Sequence, residues 1–232
     1  MARGNFLALF TERSRFLRYL QCILIGLPTW FVIGILAGRG SSFFAPALGI
    51  QGQILSNRVI AVFYTGITLG DLASGVCSQL IKSRRKTVFI FLTYSLAMIV
   101  VYFFLISGAS STTFYTVCGF LGFGMGYWAI FVTVAAEQFG TNLRATVATT
   151  VPNFARGFLV PLTFLFTELV AANVSVVATG CILTVICFGA SYLALWRMEE
   201  TYGKDLDYLE IQLASQPGAE GTYIGGGRSE VK

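Results

Sequence analysis

Six long apolar runs constrain the fold of this chain more than any other feature. Each run can cross the hydrocarbon core of a bilayer, which takes about 20 residues of helix. The chain is 55% hydrophobic and only 12% charged, whereas soluble domains carry about a quarter charged residues. This pattern predicts an all-α membrane protein with a single six-helix transmembrane domain over residues 19–196. We number the spans 1 to 6 and place them at about 19–37, 58–81, 87–107, 113–136, 145–170 and 174–196.

The basic residues between the runs predict how the bundle is oriented. Short cytoplasmic connections of membrane proteins are enriched in Lys and Arg. On the other side of the predicted membrane we find only Arg39 and Arg58. We therefore expect an integral protein of the plasma membrane, or of the bacterial inner membrane, with both termini in the cytoplasm. No nucleic-acid partner is expected, because the basic residues form short clusters. The basic residues assigned to the cytoplasmic side are Arg13, Arg15, Arg18, Lys82, Arg84, Arg85, Lys86, Arg144, Arg197 and Lys204.

The two flanks of the domain are predicted to be cytoplasmic and to differ in kind. Residues 1–18 form a lead that mixes aromatic and basic side chains. This mixture fits an interfacial amphipathic helix, and it fits a simple polar approach to span 1 equally well. Residues 197–232 form a polar tail, and its composition from about residue 212 predicts disorder.

Small residues and one proline predict how the spans pack. Pro28 lies inside span 1, where neighbouring helices can satisfy a carbonyl that a proline leaves unpaired. Gly122 and Gly126 are four residues apart in span 4, which favours close contact with another helix on one face. Local unwinding at these glycines is the alternative. The five cysteines have no metal-ligand spacing and the chain has no histidine, so we expect packing roles for the cysteines, no metal and no cofactor.

Two ionisable residues lie inside the apolar runs, where a charge is costly and marks a candidate site. Asp71 in span 2 and Arg156 in span 5 lie roughly 16–20 Å from the ends of their spans, at a rise of 1.5 Å per residue. Both are therefore predicted near the midplane, where transporter sites occur. We expect them to pair, either as a solute site or as a fixed salt bridge between helices. In the first case Arg156 binds an anionic or hydroxylated solute, and Asp71 holds it or takes a proton.

Two further residues complete the predicted substrate-binding set. Asn153 lies beside Arg156 in a segment that Pro152 and Pro161 frame. Such prolines can leave carbonyls facing a cavity, and the alternative is an ordinary bent helix. Tyr127 in span 4 is a candidate to line the same cavity, although tyrosines also serve in packing.

The junction between spans 4 and 5 resembles a signature of the major facilitator superfamily. In that signature an acid precedes a turn, and Arg-Ala then opens the next helix. Here Glu137, Phe139 and Thr141 match the acid and the turn, and Arg144 is followed by alanine. Gly140 stands where proline is usual in the family.

Two other stretches resemble the same family at corresponding positions. The tail from Glu200 to Leu206 is similar to the acid-Thr-x-Gly segment that follows the last helix in sugar-porter-like and organic-ion-transporter-like members. The segment from Gly75 to Lys86 is similar to the loop between the second and third helices of each half. In this chain Gln79 and Leu80 replace the acid and the arginine of that loop.

The resemblance implies that the chain is the C-terminal half of such a transporter. The family fold has twelve helices in two six-helix halves, and it moves solutes by alternating access. A single half would expose its cavity face to lipid, so we expect a partner besides the lipid bilayer, either a complementary half or a second copy in a homodimer. The resemblance also implies 3+3 inverted repeats. Glu137 and Arg144 are assigned to gating or to helix anchoring, and a solvated helix end is the alternative for Glu137. Proton coupling is assigned to Asp71 or Glu137.

The predicted function is transport of a small organic solute, either anionic or sugar-like, with proton coupling as one version. The alternative is a non-transporting membrane interaction subunit or a truncated half-transporter. We do not expect an enzyme, because the chain has no histidine and no nucleophile–base motif. A channel is disfavoured, since the sequence has no repeated carbonyl loop and no ring of like charges.

Overall fold

The computed structural model describes residues 6–204, and every regular element within them is a helix. Six helical stretches are long and apolar enough to cross a membrane, which confirms the predicted number of spans and makes this chain an all-α membrane protein. Spans 1 to 6 run over Arg13–Ala37, Ser56–Ile81, Arg84–Leu105, Ser111–Glu137, Thr141–Ala171 and Val176–Arg197.

Several spans are composed of more than one helix. Span 1 changes from α-helix to π-helix after Phe31, and span 3 ends in a π-helical turn. Span 4 is interrupted at Gly126 and Tyr127, and span 5 is interrupted at Phe158. In chain order the helices are Phe6–Leu9 (3-10), Arg13–Phe31, Val32–Ala37 (π), Gly40–Phe44 (π), Ala45–Ala47, Ser56–Ile81, Arg84–Val100, Val101–Leu105 (π), Ser111–Met125, Trp128–Glu137, Thr141–Gly157, Leu159–Ala171 and Val176–Arg197.

Spans 1 and 4 form the centre of the bundle. In their most apolar stretches 67% and 61% of the residues are buried, whereas only 17% are buried in span 5. Span 1 packs mainly on spans 5 and 6, and span 4 packs mainly on spans 2 and 3. If span 1 is exchanged with span 4, span 2 with span 5 and span 3 with span 6, the same packing pattern results. Two repeats of three spans each would produce this symmetry.

The closest helix contact joins spans 2 and 4 through glycines. A Cβ atom added to Gly70 would lie within 3.0 Å of the Phe123 carbonyl group, and one added to Gly126 would lie within 3.0 Å of the Gly70 backbone. Gly122 likewise meets the backbone of span 2. The predicted contact face of Gly122 and Gly126 is therefore confirmed. The glycines that face it on span 2 are also four residues apart, because Gly66, like Gly70, packs against the backbone of span 4. The alternative, local unwinding, also occurs at Gly126, where span 4 is interrupted.

The long connection between spans 1 and 2 is tied to its neighbours. Gln51 accepts a hydrogen bond from the backbone N–H of Ser111 at 3.0 Å and donates its own N–H to Ala109 at 2.9 Å. The guanidinium of Arg39 lies over the rings of Phe43 and Phe166, at 5.4 and 5.2 Å from their centroids. This connection therefore contacts span 5 as well as the loop between spans 3 and 4.

The flanks differ from the sequence prediction. The first α-helix begins at Arg13, which is also the first residue of span 1. The preceding residues form a 3-10 turn over Phe6–Leu9, two of whose four residues are buried, so a separate interfacial helix is not formed in residues 6–12. Residues 198–204 fold back against the bundle, and the predicted disorder from about residue 212 lies outside the described residues. All five cysteines are free thiols, and Cys22, Cys118 and Cys187 are buried.

Candidate functional site

Asp71 lies at the interruption of span 4. Its Oδ1 atom accepts a hydrogen bond from the backbone N–H of Ala129 at 3.1 Å. Ala129 is the second residue of the helix Trp128–Glu137, and the first N–H groups of a helix have no partner inside it. The helix dipole also favours a negative charge at this end. Asp71 in span 2 thus provides a hydrogen-bond acceptor for the first turn of Trp128–Glu137, the second helix of span 4.

Arg156 in span 5 contacts an aromatic side chain of span 1. Its guanidinium carbon lies 4.6 Å from the centre of the Trp30 ring, a cation–π arrangement for which tryptophan is the best partner. Trp30 in turn meets Trp128 edge to face, with ring centroids 5.7 Å apart. Because Trp128 directly precedes Ala129, a row of contacts leads from Arg156 to Asp71. We call this set of contacts the tryptophan row: Arg156, Trp30, Trp128, Ala129 and Asp71.

Asp71 and Arg156 do not form the ion pair that the sequence predicts. Within residues 6–204 no ion pair at 4.0 Å or less involves either of them. The physical reason is helix rotation: two indole rings separate the charges, and depth along a helix does not fix which way a side chain faces. Arg156 is exposed and Asp71 is half-buried, so the guanidinium has a ring partner but no counter-charge in this structure.

Asn153 shares the exposed face of Arg156. The two residues are three apart on one helix and are therefore neighbours on its surface. The Asn153 side-chain amide donates to the carbonyl of Thr149 at 2.8 Å. Its Oδ1 atom accepts no hydrogen bond from the described part of the chain and is available as an acceptor. The structure thus brings Asn153 and Arg156 together, as expected.

Tyr127 does not reach this face. It is fully buried, and its hydroxyl donates to the carbonyl of Ile25 at 2.9 Å. Ile25 lies in span 1, in the helical turn before Pro28. We therefore assign Tyr127 to packing and not to solute binding, because its polar group is already used inside the bundle.

Replacing Tyr127 by Phe is expected to lower stability without changing solute affinity. The change removes one of the two side-chain donors to the buried Ile25 carbonyl, since the Ser191 hydroxyl also donates to it at 3.5 Å. We expect a loss of about 1 kcal/mol, or a few degrees of melting temperature. Thermal unfolding in detergent measures the loss. Tyr64→Phe is a matched control, since Tyr64 is exposed. A loss of anion affinity with an unchanged melting temperature would return Tyr127 to the binding site.

The site on the tryptophan row is an open face and not an enclosed cavity. Arg156, Asn153 and Ala129 are exposed to the surroundings of the bundle. A solute bound at Arg156 would therefore lie between this chain and whatever covers the face.

A second group of charges lies at one end of the bundle, which we call the basic end. Four segments meet there: the N-terminal lead, the loops 82–83 and 138–140, and residues 198–204. Glu137 is buried there and accepts a hydrogen bond from the Thr201 hydroxyl at 2.6 Å. The Arg84 guanidinium lies 3.4 Å from the other carboxylate oxygen. Arg84 also donates to the Ser78 hydroxyl at 2.8 Å and lies over the Tyr202 ring at 5.4 Å. Glu137 is thus held by a buried network and is not a solvated helix end.

Glu200 organises the start of span 3. Its carboxylate accepts hydrogen bonds from the Ser83 hydroxyl and from the backbone N–H groups of Arg84 and Tyr202, the latter two at 2.9 and 3.0 Å. Burial raises the pKa of Glu200, but the hydrogen bonds from Ser83 and from these backbone groups outweigh it and hold the pKa below its ordinary value. An acid of the tail thus caps the start of span 3.

Arg144 lies in the first turn of span 5, also at the basic end. It is half-buried, and its backbone N–H donates to Gly140 at 2.9 Å. Sequence reasoning predicted roles for Glu137 and Arg144 and included Thr201 in the tail motif, but it assigned no role to Trp30 or Ser83. A signal for Trp30 exists in the sequence, since tryptophans usually lie at membrane interfaces and this one lies well inside span 1.

The lowered pKa of Glu200 predicts a pH-dependent contribution to stability. A carboxylate whose pKa is depressed by folding stabilises the fold above its unfolded value of about 4.3, and this stabilisation is lost as the pH falls through the folded value. We expect Glu200→Gln to lower the melting temperature by about 3 °C at pH 7, the loss typical of a helix cap. Melting curves between pH 3 and pH 8 measure this difference, which should shrink as the pH falls below the unfolded value. A difference that stays the same or grows toward acid pH would contradict the assignment.

Family membership is not established by similarity. No protein-family model, curated protein or solved structure matches this chain. The resemblance to the major facilitator superfamily therefore remains an expectation from three short stretches of sequence.

Proposed function

We propose that this chain is one half of a transporter that moves a small organic anion across the membrane by alternating access. The observation that carries the proposal is Arg156, a guanidinium exposed within span 5 with no carboxylate in reach among the described residues. A charged side chain at the centre of a membrane helix costs about 3 kcal/mol on insertion scales. An anionic solute supplies the counter-charge that the chain itself does not.

The residues around Arg156 suit a carboxylate or a phosphate. A guanidinium presents parallel N–H donors that match two oxygens of such a group. The Trp30 ring contacts the guanidinium, with the centre of the ring 4.6 Å from the guanidinium carbon, and Asn153 offers an acceptor for a hydroxyl group of the solute. A neutral sugar-like solute remains the second choice, because it would leave the arginine charge unpaired.

Asp71 is the candidate for proton coupling. Its bond to the Ala129 N–H joins span 2 to the restarted helix of span 4. Protonation would remove the charge that the helix dipole favours and so loosen this contact. The tryptophan row connects that contact to Arg156, which would allow solute and proton to influence each other.

Alternating access requires a second unit over the open face. We propose a complementary six-helix half or a second copy of this chain, with the basic end in the cytoplasm of the cell. Rocking of the two units would then open the site to each side in turn. The network of Arg84, Glu137 and Glu200 would act as a gate at the basic end, with Arg144 beside it.

A non-transporting membrane subunit is the alternative function. It is favoured by span 5, whose most apolar stretch is only 17% buried and so offers a large surface to another protein. Both functions require a partner. Only the first requires that an anion bind at Arg156.

Tryptophan fluorescence tests the binding site directly. The chain has three tryptophans, and Trp196→Phe leaves Trp30 and Trp128 as the reporters, both on the tryptophan row. We expect a saturable change in emission on titration with at least one of sodium acetate, benzoate and glycerol 3-phosphate, and none with glucose. Arg156→Gln should weaken that binding at least roughly tenfold, the loss of a charge-assisted hydrogen bond.

The control for this titration is Arg58→Gln, which removes the same charge from an exposed position outside the row. It should leave the titration unchanged, and Arg156→Lys should bind more weakly than the parent because lysine lacks the planar fork. The anion site is wrong if Arg156→Gln binds every probe as tightly as the parent protein does.

A further inference from the structure

The N-terminal lead is folded against the bundle in a defined way. Its 3-10 turn, Phe6–Leu9, is followed by a reversal that the buried side chain of Arg15 supports. Arg15 donates to the Ala8 carbonyl at 2.7 Å and to the Thr11 hydroxyl at 3.2 Å, and it forms an ion pair with Glu12 at 3.2 Å. A buried arginine is costly unless its donors are used. The folded lead is therefore what allows Arg15 to be buried.

Two phenylalanines of the lead join span 1 to span 5. Phe6 is stacked on Phe154 of span 5, with centroids 6.2 Å apart and ring planes 4° apart. It also meets Tyr19 of span 1 edge-on at 6.5 Å, and Phe10 meets the same ring at 6.2 Å. Tyr19 completes the bridge by donating its hydroxyl to Thr150 of span 5 at 2.8 Å.

This aromatic cluster lies close to the candidate anion site along span 5. Phe154 is two residues before Arg156, inside the segment framed by Pro152 and Pro161. Span 5 is the least buried of the six spans and is interrupted at Phe158. Fewer buried contacts mean a lower free energy of local opening, so each contact that holds this helix weighs more.

We propose that residues 6–12 are an intramolecular clasp that fixes span 5 against span 1, and that release of the clasp frees the segment bearing Arg156. With the clasp docked, Arg156 is held over Trp30. With the clasp released, the Phe154 ring loses its partner and span 5 can move about its interruption. The clasp itself rests on the contacts above, and only its consequence for transport rests on the proposed function.

Hydrogen exchange measured by mass spectrometry tests the clasp on the full chain in lipid nanodiscs. Phe6→Ala removes the stacked ring. We expect amides in residues 6–12 and also in residues 150–157 to exchange roughly tenfold faster, because a few aromatic contacts are lost from a local opening equilibrium. Phe6→Tyr keeps the ring and should restore protection. Phe6→Leu is a milder second variant, expected to give a smaller rise in the same two segments.

Leu7→Ala is the matched control, since Leu7 belongs to the same turn and its side chain is 70% exposed. It should leave both segments protected. The clasp is refuted if Phe6→Ala speeds exchange in the lead alone, or if Leu7→Ala has the same effect on residues 150–157. The measurement needs no solute. If the exchange results agree with the clasp but no anion binds, only the proposed function is refuted. If an anion binds at Arg156 but the exchange results contradict the clasp, only the clasp is refuted.

Discussion

Replacing Gly70 by Leu is expected to prevent spans 2 and 4 from packing. At Gly70 a Cβ atom alone would meet backbone atoms of Phe123 and Gly126, and backbone atoms of a packed helix cannot turn aside as a side chain can. Overpacking of this kind costs about 3 kcal/mol or more, which corresponds to a fall in melting temperature on the order of 10 °C. We expect the variant to melt early in detergent and to elute as aggregate on size exclusion.

The same helix supplies the control for this substitution. Gly75 lies five residues further along span 2, and an added Cβ atom there meets nothing within 4 Å. Gly75→Leu should therefore melt within a few degrees of the wild type. Equal losses for the two variants would show that the cost comes from helix propensity or lipid contact, and the glycine contact between spans 2 and 4 would lose its assigned role.

Replacing Glu137 by Ala is expected to release the tail from the basic end. The change leaves the Arg84 guanidinium without its carboxylate and the Thr201 hydroxyl without its acceptor. Removing one member of a buried ion pair costs about 3–5 kcal/mol. This pair is only partly buried, because the Arg84 and Glu137 side chains are 17% and 12% exposed. We therefore expect the substitution to cost less, about 2 kcal/mol of stability.

Limited trypsin digestion measures this release at the bond between Arg197 and Met198. Met198 is buried while the tail is docked, and a loss of about 2 kcal/mol raises the open fraction, and hence cleavage, by roughly thirtyfold. Glu168→Ala is the control, because Glu168 is an exposed acid in span 5. If the Glu137→Ala protein is cleaved no faster than this control, Glu137 does not hold the tail and its assignment to the gate is wrong.

The features that sequence reasoning predicted correctly depend on local patterns. The six spans follow from runs of apolar residues, since the length needed to cross a bilayer is fixed. The contact face of Gly122 and Gly126 follows from a spacing of four on one helix. Both can be judged without knowing where any other helix lies.

The features that it missed depend on how helices rotate and which distant segments meet. The spacing along each span predicts matching depth for Asp71 and Arg156, and the structure connects the two residues through Trp30 and Trp128. Whether they face each other depends on rotation about each helix axis, which depth does not determine. Tyr127 was predicted to line the site for the same reason, although its helix directs it to Ile25 inside the bundle.

The basic end shows a second limit of the same kind. Glu137 and Thr201 are 64 residues apart in the sequence and form one hydrogen bond. A short motif can indicate that each residue is special, as the resemblance did for Glu137 and the tail. It does not indicate that the tail supplies the acid for the start of span 3. The docking of the lead on Phe154 is equally invisible to a local pattern.

Uptake by purified protein in liposomes tests the central claim most directly. The probe is the radiolabelled form of whichever acetate, benzoate or glycerol 3-phosphate gives the strongest fluorescence titration, and the mass of the protein in detergent is measured alongside to identify a dimer. We predict saturable uptake above protein-free liposomes, lost in Arg156→Gln and retained in Arg58→Gln. A folded protein, alone or as a dimer, that takes up none of the three anions would contradict a transporter formed by copies of this chain. Uptake that Arg156→Gln leaves unchanged would contradict the site.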